Sequence, residues 1–210
     1  DTLDPVEQPR RAWSYSAVTH QIQAIPDFAY DTPIASQGGI TTYDEGYLAL
    51  GRLDLFDFKL LGKREMYIPY NNYSLVFQSN SSQILLPNHL NPDFVRWELH
   101  RVWVVEATLK PGKSHSVPRR IFYFDEDWSG AGMSDGYGRN GQLIKGIFMA
   151  QTALYDVPIP LSRCYWAYDL MDNRYALLQH FGDPGMGYWY KPEGLSPEIF
   201  SVDALPNRGR

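Results

Sequence analysis

The chain has 210 residues and a formal net charge of −5, from 19 Lys and Arg against 24 Asp and Glu. Its length suffices for a buried core, and a 44% hydrophobic content excludes global disorder. The basic residues that cluster do so only as isolated pairs, Arg10-Arg11, Lys63-Arg64 and Arg119-Arg120, so the dense cationic surface that nucleic acid demands is missing.

No apolar run approaches the ~20 residues that span a bilayer as a helix. Cys164 is the single cysteine, which excludes an internal disulfide framework and a multi-cysteine zinc site. The opening Asp1-Thr2-Leu3-Asp4-Pro5 has none of the features of a signal peptide, so any export signal is expected to have been removed. Aromatic residues are abundant, with six Trp, fifteen Tyr and ten Phe. Strands favour them, and their polar tips suit half-wet walls.

Alternation rather than helical periodicity dominates the chain. Trp13 and Tyr15, followed by Gln21 to Ile25, predict a first hairpin. The stretch from Pro33 to Gly39 reads as loop. Thr42 is placed to cap a short helix reaching Leu50, with Asp44 and Glu45 in its first turn, although Leu48 and Leu50 give it a thin apolar face. From Phe56 a strand follows in which Phe58, Leu60, Met66 and Ile68 share one face with Arg64, and Pro69 ends it. A polar loop then runs through Asn71-Asn72 and Asn80-Ser81-Ser82.

The clearest strand runs from Val95 to Leu109, with Trp97, Leu99, Arg101, Trp103 and Val105 on one face and Glu98, His100 and Glu106 on the other. Pro111-Gly112-Lys113 turns it into Arg120 to Phe124. Two further hairpins pair Asp135–Tyr137 with Gln142–Ile147 and Tyr165–Leu170 with Tyr175–Leu178. The tail 182–210 is rich in Gly and Pro and reads as irregular coil. With no repeat and no clean linker, 1–210 reads as one mainly antiparallel β domain.

Arg101 on an apolar face is the local anomaly, because a buried guanidinium costs several kcal/mol unless paired. Either it pairs with an acid on a neighbouring strand or at the rim, or it meets an anion inside an apolar cavity. The run Gly136-Tyr137-Gly138-Arg139-Asn140-Gly141 matches G-x-G-x-x-G, but it lacks the preceding buried strand and following helix of a dinucleotide site, and Asn140-Gly141 signals a hairpin turn. The five histidines show no metal-site spacing. Asp125-Glu126-Asp127 lacks the calcium-loop pattern and reads as a turn cluster. No nucleophile elbow occurs, and Cys164 carries no nucleophile signature.

Several segments together carry a resemblance. They are Asp27 to Pro33, Lys63 to Tyr73, His89 to Asp93, Glu98 to Gly112 and Phe122 to Asp127. They resemble a family of Gram-negative envelope proteins similar to the LolA/LolB outer-membrane lipoprotein-sorting proteins, over a span from about Trp13 to the Tyr175 hairpin. Members are typically about twice this length, so the resemblance implies the C-terminal half of a longer precursor. It also implies a curved sheet or incomplete β-barrel around a few short helices, with an apolar concave face, at the periplasmic side of the outer membrane without spanning it. Members often occur beside RND/MMPL-type transporters, which implies hydrophobic traffic. The first hairpin departs from the family pattern: Tyr15 to Ala24 lacks the usual Pro-Gly turn and arginines.

The expected function is therefore non-catalytic binding or transfer of a lipid or acyl chain, with no cofactor and no metal. The expected cavity wall is Trp97, Leu99, Trp103 and Met66, with Arg64 and Arg101 contacting a head group. Two alternatives stand beside it. One is an assembly module docking through Tyr70, Tyr73 and Trp189. The other is a carbohydrate-acting enzyme using Glu98 or Asp125, which requires two carboxylates facing one cleft.

Overall fold

The computed structural model describes residues 7–8, 11–25, 30–128, 130, 132–187 and 193–207. Asp27, Phe28, Ala29, Arg10 and Trp189 lie outside the described residues. The chain divides into two compact units, residues 1–30 with 188–210, and residues 31–187.

In the first unit, β1 (Ala12–Ser16) and β2 (Gln21–Ile25) form the expected hairpin, with Tyr15 opposite Ile22. His20 adopts φ 55° in its turn and accepts or donates at Nδ1 with the Tyr15 hydroxyl, 2.9 Å away. The tail expected as coil instead winds into two short 3-10 turns, Pro197–Phe200 and Val202–Asn207. Pro at the start of the first turn presets its φ.

The second unit is built on an open, seven-stranded antiparallel sheet. Its strands are β3 (Phe56–Pro69), β6 (Trp97–Leu109), β7 (Arg119–Asp125), β8 (Gly132–Tyr137), β9 (Leu143–Met149), β12 (Tyr165–Asp169) and β13 (Arg174–Leu178), and β3 and β13 form its edges. Short insertions interrupt the meander: a one-turn helix α1 (Ser81–Ile84), β4 (Leu85–Leu86) with β5 (His89–Leu90), and β10 (Thr152–Leu154) with β11 (Ile159–Leu161). The decoy glycine run closes the β8–β9 hairpin, where Gly138 N–H donates to Gln142 O at 2.9 Å and Gly141 takes φ 77°.

Opposed residues of antiparallel strands share a face, so the register sorts the sheet into two faces. The first carries Phe56, Ala107, Phe122, Ile147, Met149, Ala167 and Leu178, packed with Ile40 and Leu48. The second carries Val102, Val104, Met133, Phe148 and Trp166, packed with Ile68, Leu75, Val76 and Ile84. The segment expected as a polar loop thus supplies part of the core. Its wide helical turn Ser74–Gln78 buries Leu75 and Val76, and Asn80 closes a capping box with Gln83 at the start of α1.

The helix expected over Thr42–Leu50 does not form. Tyr47 and Leu48 take φ 51° and 69°, left-handed values that end any helix there. The polar signals act locally instead: Thr42 Oγ1 donates to Asp44 Oδ1 at 2.6 Å, and Thr42 N–H donates to Glu45 Oε2 at 2.8 Å. This folds the segment tightly enough to bury Leu48 on the first face and to present Asp44 to Arg120 at 2.6 Å and Glu45 to Lys145 at 2.9 Å.

Candidate functional site

β3 carries an irregularity that reassigns the expected site. Leu60 pairs with Val105, yet Gly62 pairs with Val104, so Leu61 is an extra residue in the ladder. Gly62 takes φ 103° at this bulge. Before the bulge the even residues of β3 share the first face with the odd residues of β6. After it, Arg64 and Met66 stand opposite Val102 and His100, on the second face.

The six residues expected to form one wall are therefore separated. Leu99, Arg101 and Trp103 lie outward on the first face, with Leu99 58% and Trp103 37% exposed. Lys63 Nζ covers the Trp103 ring, 4.1 Å from its centroid. Arg101 is exposed and pairs with Glu126, which also pairs with Lys63, so the ion-pair alternative holds for it. Met66 packs beside Ile68, Val102 and Val104, while Arg64 is exposed. Trp97, 43% exposed, turns its ring edge-on to Phe148 and Trp166, with centroids 6.0 and 6.4 Å away. Arg64 and Met66 thus lie on the face opposite Leu99, Arg101 and Trp103.

A different place offers a wide-mouthed hollow. A hollow of about 580 Å³, open on one side, is lined by Tyr70, Asp127, Trp128, Leu154, Tyr155, Pro158 and Ile159, with Ala153 and Pro160. One wall is the β10–β11 hairpin. It is anchored by Tyr73, whose hydroxyl donates to Ala153 O and accepts from Ala153 N–H at 2.9 Å, and whose ring stacks on Tyr155 at 5.8 Å. The other wall is Tyr70 and Trp128, perpendicular to one another with centroids 5.9 Å apart, packed on the Val102–Val104 core. Tyr70, in the wall, and Tyr73, behind the hairpin, are half-buried rather than protruding docking aromatics. The segment Ala153 to Pro160 carries no periodic signal beyond its prolines, and proximity to Tyr70 arises only across the sheet.

Behind Tyr70, outside the lining of the hollow, lies a polar cluster. His100 stacks under Tyr70 at 4.0 Å, and its Nδ1 lies 3.1 Å from Asp125 Oδ1. Glu98 Oε2 lies 3.6 Å from His100 Nε2, and Glu98 is itself held by Asn71 at 2.8 Å and Arg96 at 3.0 Å. Burial, then the negative charge of Asp125 and Asp127, pushes the Tyr70 phenol up to about 12. The Asp125 side chain is 0% exposed. Glu98 and Asp125 lie on the same sheet face, on either side of the imidazole, but a wholly buried Asp125 leaves no open cleft between two carboxylates for a sugar, so the geometry lends that alternative no support. Among the described residues no helix is long and apolar enough to cross a membrane.

Comparison with known proteins accords with this architecture. The chain is 40% identical over 179 residues to the uncharacterized protein PA3922 of Pseudomonas aeruginosa, covering 85% of this chain and 39% of that protein. It therefore spans well under half the length of that relative. Its fold is similar to a crystal structure from Vibrio parahaemolyticus described as an outer-membrane lipoprotein-sorting protein domain, with a TM-score of 0.56 at 13% identity, covering 93% of this chain and 66% of the other. It is also similar to a DUF1329 protein structure from Desulfovibrio piger, with a TM-score of 0.52 at 15% identity, covering 93% and 64%. At these identities the likeness is one of fold, and the fold is the LolA-like open sheet that the resemblance implied. The model of the family described as protein of unknown function DUF1329 matches residues 1–206, so the chain belongs to the DUF1329 family.

Proposed function

We propose that this chain is a non-catalytic binder of an acyl chain or similarly apolar ligand at the periplasmic face of the outer membrane, and that the ligand occupies the hollow between Tyr70–Trp128 and the β10–β11 hairpin. The observation that carries the reading is the hollow itself. Its volume of about 580 Å³ falls within the roughly 300–1,000 Å³ typical of small-molecule sites. Its walls are mainly aromatic and aliphatic, with one carboxylate, Asp127, among them. Each methylene taken from water into such walls contributes ~0.8 kcal/mol, so a chain of several methylenes suffices for stable occupancy. The shared fold with a lipoprotein-sorting domain supports the same reading at the level of architecture. An RND/MMPL-type transporter as donor or acceptor of the ligand belongs to this proposal.

The test is titration of the chain with a fluorescent fatty-acid analogue, together with native mass spectrometry of the protein as purified. Saturable binding that is lost in Ile159→Asp, whose side chain borders both hollow and solvent, supports the reading. Absence of saturable binding, or binding indifferent to that charge, overturns it and favours the assembly-module alternative, which requires no guest.

A further inference from the structure

The polar cluster behind Tyr70 holds a feature that an apolar ligand does not explain. Asp125 ends β7, and Asp127 lies two residues beyond it in the bend that follows. The register pairs Val102 with Asp125, and Glu126 N–H continues the ladder to Arg101 O at 3.0 Å. One ligand atom from each of His100, Asp125 and Asp127 lies within 4.8 Å of the other two.

Three observations point to a missing positive charge at this place. The Asp125 carboxylate is fully buried, with Oδ1 on His100 Nδ1 and the Tyr70 phenol beside it, while its Oδ2 makes no hydrogen bond of ordinary geometry among the described residues. Neither Asp125 nor Asp127 forms an ion pair with Lys or Arg there, because Lys63 and Arg101 are taken by Glu126, which points the other way from the strand. A buried carboxylate with no Lys or Arg beside it is costly, and proteins resolve that cost by pairing or by metal coordination. The imidazole is meanwhile oriented from outside: Tyr70 stacks on it, and the Glu98 carboxylate faces Nε2, the side away from Asp125. A carboxylate behind a histidine is the usual outer partner of a metal-binding imidazole.

We propose that His100, Asp125 and Asp127 bind a first-row divalent transition metal ion of the Zn²⁺ class. One imidazole nitrogen with two carboxylates suits such an ion better than Ca²⁺ or Mg²⁺, which favour oxygen alone. Bonds of about 2.0–2.2 Å place ligands on opposite sides of the ion at most about 4.4 Å apart. Rotation of exposed Asp127 therefore closes the set without moving the strands. Asp127 also lines the hollow, which gives the ion an entry path and leaves a position open toward it. The proposal stands on these residues whether or not the hollow holds an acyl chain.

The test uses the full chain, stripped with chelator and titrated calorimetrically with ZnCl₂, and separately loaded with Co²⁺ for its visible absorption. One equivalent of Zn²⁺ is expected to bind, with affinity at least tenfold weaker in His100→Gln and in Asp127→Asn. The Co²⁺ spectrum is expected to change in both. Asp127 is exposed, so its variant keeps the fold if Asp125 variants do not, and His89→Gln, outside the proposed ligand set, is expected to bind as the parent does. Absence of Zn²⁺ uptake, uptake unchanged by both variants, or equally tight binding of Ca²⁺ overturns the assignment.

Discussion

His115 Nε2 lies 2.9 Å from Asp44 Oδ2, and the other ring nitrogen of His115 accepts from Val117 N–H at 2.9 Å. The imidazole is thereby held with its proton on Nε2, directed at Asp44. Arg120 Nη2 donates to the same Asp44 oxygen at 2.6 Å, and all three side chains are buried beneath the first face of the sheet. Burial raises the Asp44 pKa, but the His115 hydrogen bond and the Arg120 charge outweigh it, so the carboxyl lies below its ordinary 3.8.

Because the native pKa is depressed, this group stabilises the fold above about pH 4, and that stability is lost as pH falls through the lowered native value. Asp44→Asn leaves Arg120 buried without its counter-charge and is expected to cost about 3–5 kcal/mol at neutral pH. Urea unfolding of parent and variant between pH 3 and 7 checks both statements. The parent should lose stability on acidification more steeply than the variant, and parallel curves would contradict the pairing.

The hollow and the outward Trp-bearing face make opposite predictions for ligand binding. Tyr155 is largely exposed yet lines the hollow, so Tyr155→Ala is expected to weaken a fatty-acid probe by about three- to tenfold, the loss of roughly a kcal/mol of apolar contact. Leu99→Ala on the outward face is expected to leave the probe affinity unchanged. A reversed pattern in the same fluorescence titration would return the site to the Trp97–Trp103 strand.

The bulge at Leu61 shifts the alternation of β3 by one residue. Deleting Leu61 removes only the extra residue, so Leu60 and Gly62 become neighbours opposite Val105 and Val104 and the ladder closes without a break. The pairing beyond it is unchanged: Ile68 stays buried opposite Glu98, and Tyr67 stays outward opposite Leu99. A thermal melt of the deletion variant is expected to lie close to that of the parent. A large drop would show that the bend at the bulge, rather than the register beyond it, holds β3 against the core.

Cys164 is packed among Leu75, Ile84 and Trp166, and burial pushes its thiol up to about 12. The thiolate is the reactive form, so a colorimetric thiol reagent at pH 8 is expected to leave the folded protein unlabelled and to label one thiol after denaturation. Rapid native labelling would mean that this part of the second face opens readily.

Much of the strand content was readable in the residues because it rests on local physics. Val, Trp and Phe at period two predict strands, and Pro111-Gly112 and Asn140-Gly141 predict the turns between them, so β6, β7, β9, β12 and β13 fall close to their expected positions. The expected helix at Thr42 failed because the same Thr, Asp and Glu that suit a helix start found partners in Arg120 and Lys145, more than 70 positions away in the chain. The buried role of Leu75, Val76 and Ile84 was hidden by the Asn and Ser around them.

Alternation along the chain by itself determined that this is an antiparallel β protein with a long Trp-rich hairpin at its centre, since side-chain direction in a strand follows from its pleat. Which face each residue joins was decided only in three dimensions. One extra residue, Leu61, inverts the relation between β3 and β6, and no period-two count along a single strand records its partner's register. The meeting of His100 with Asp125 and Asp127 was likewise set by pairing between strands, because residues about 25 apart become neighbours only once the ladder between them has formed.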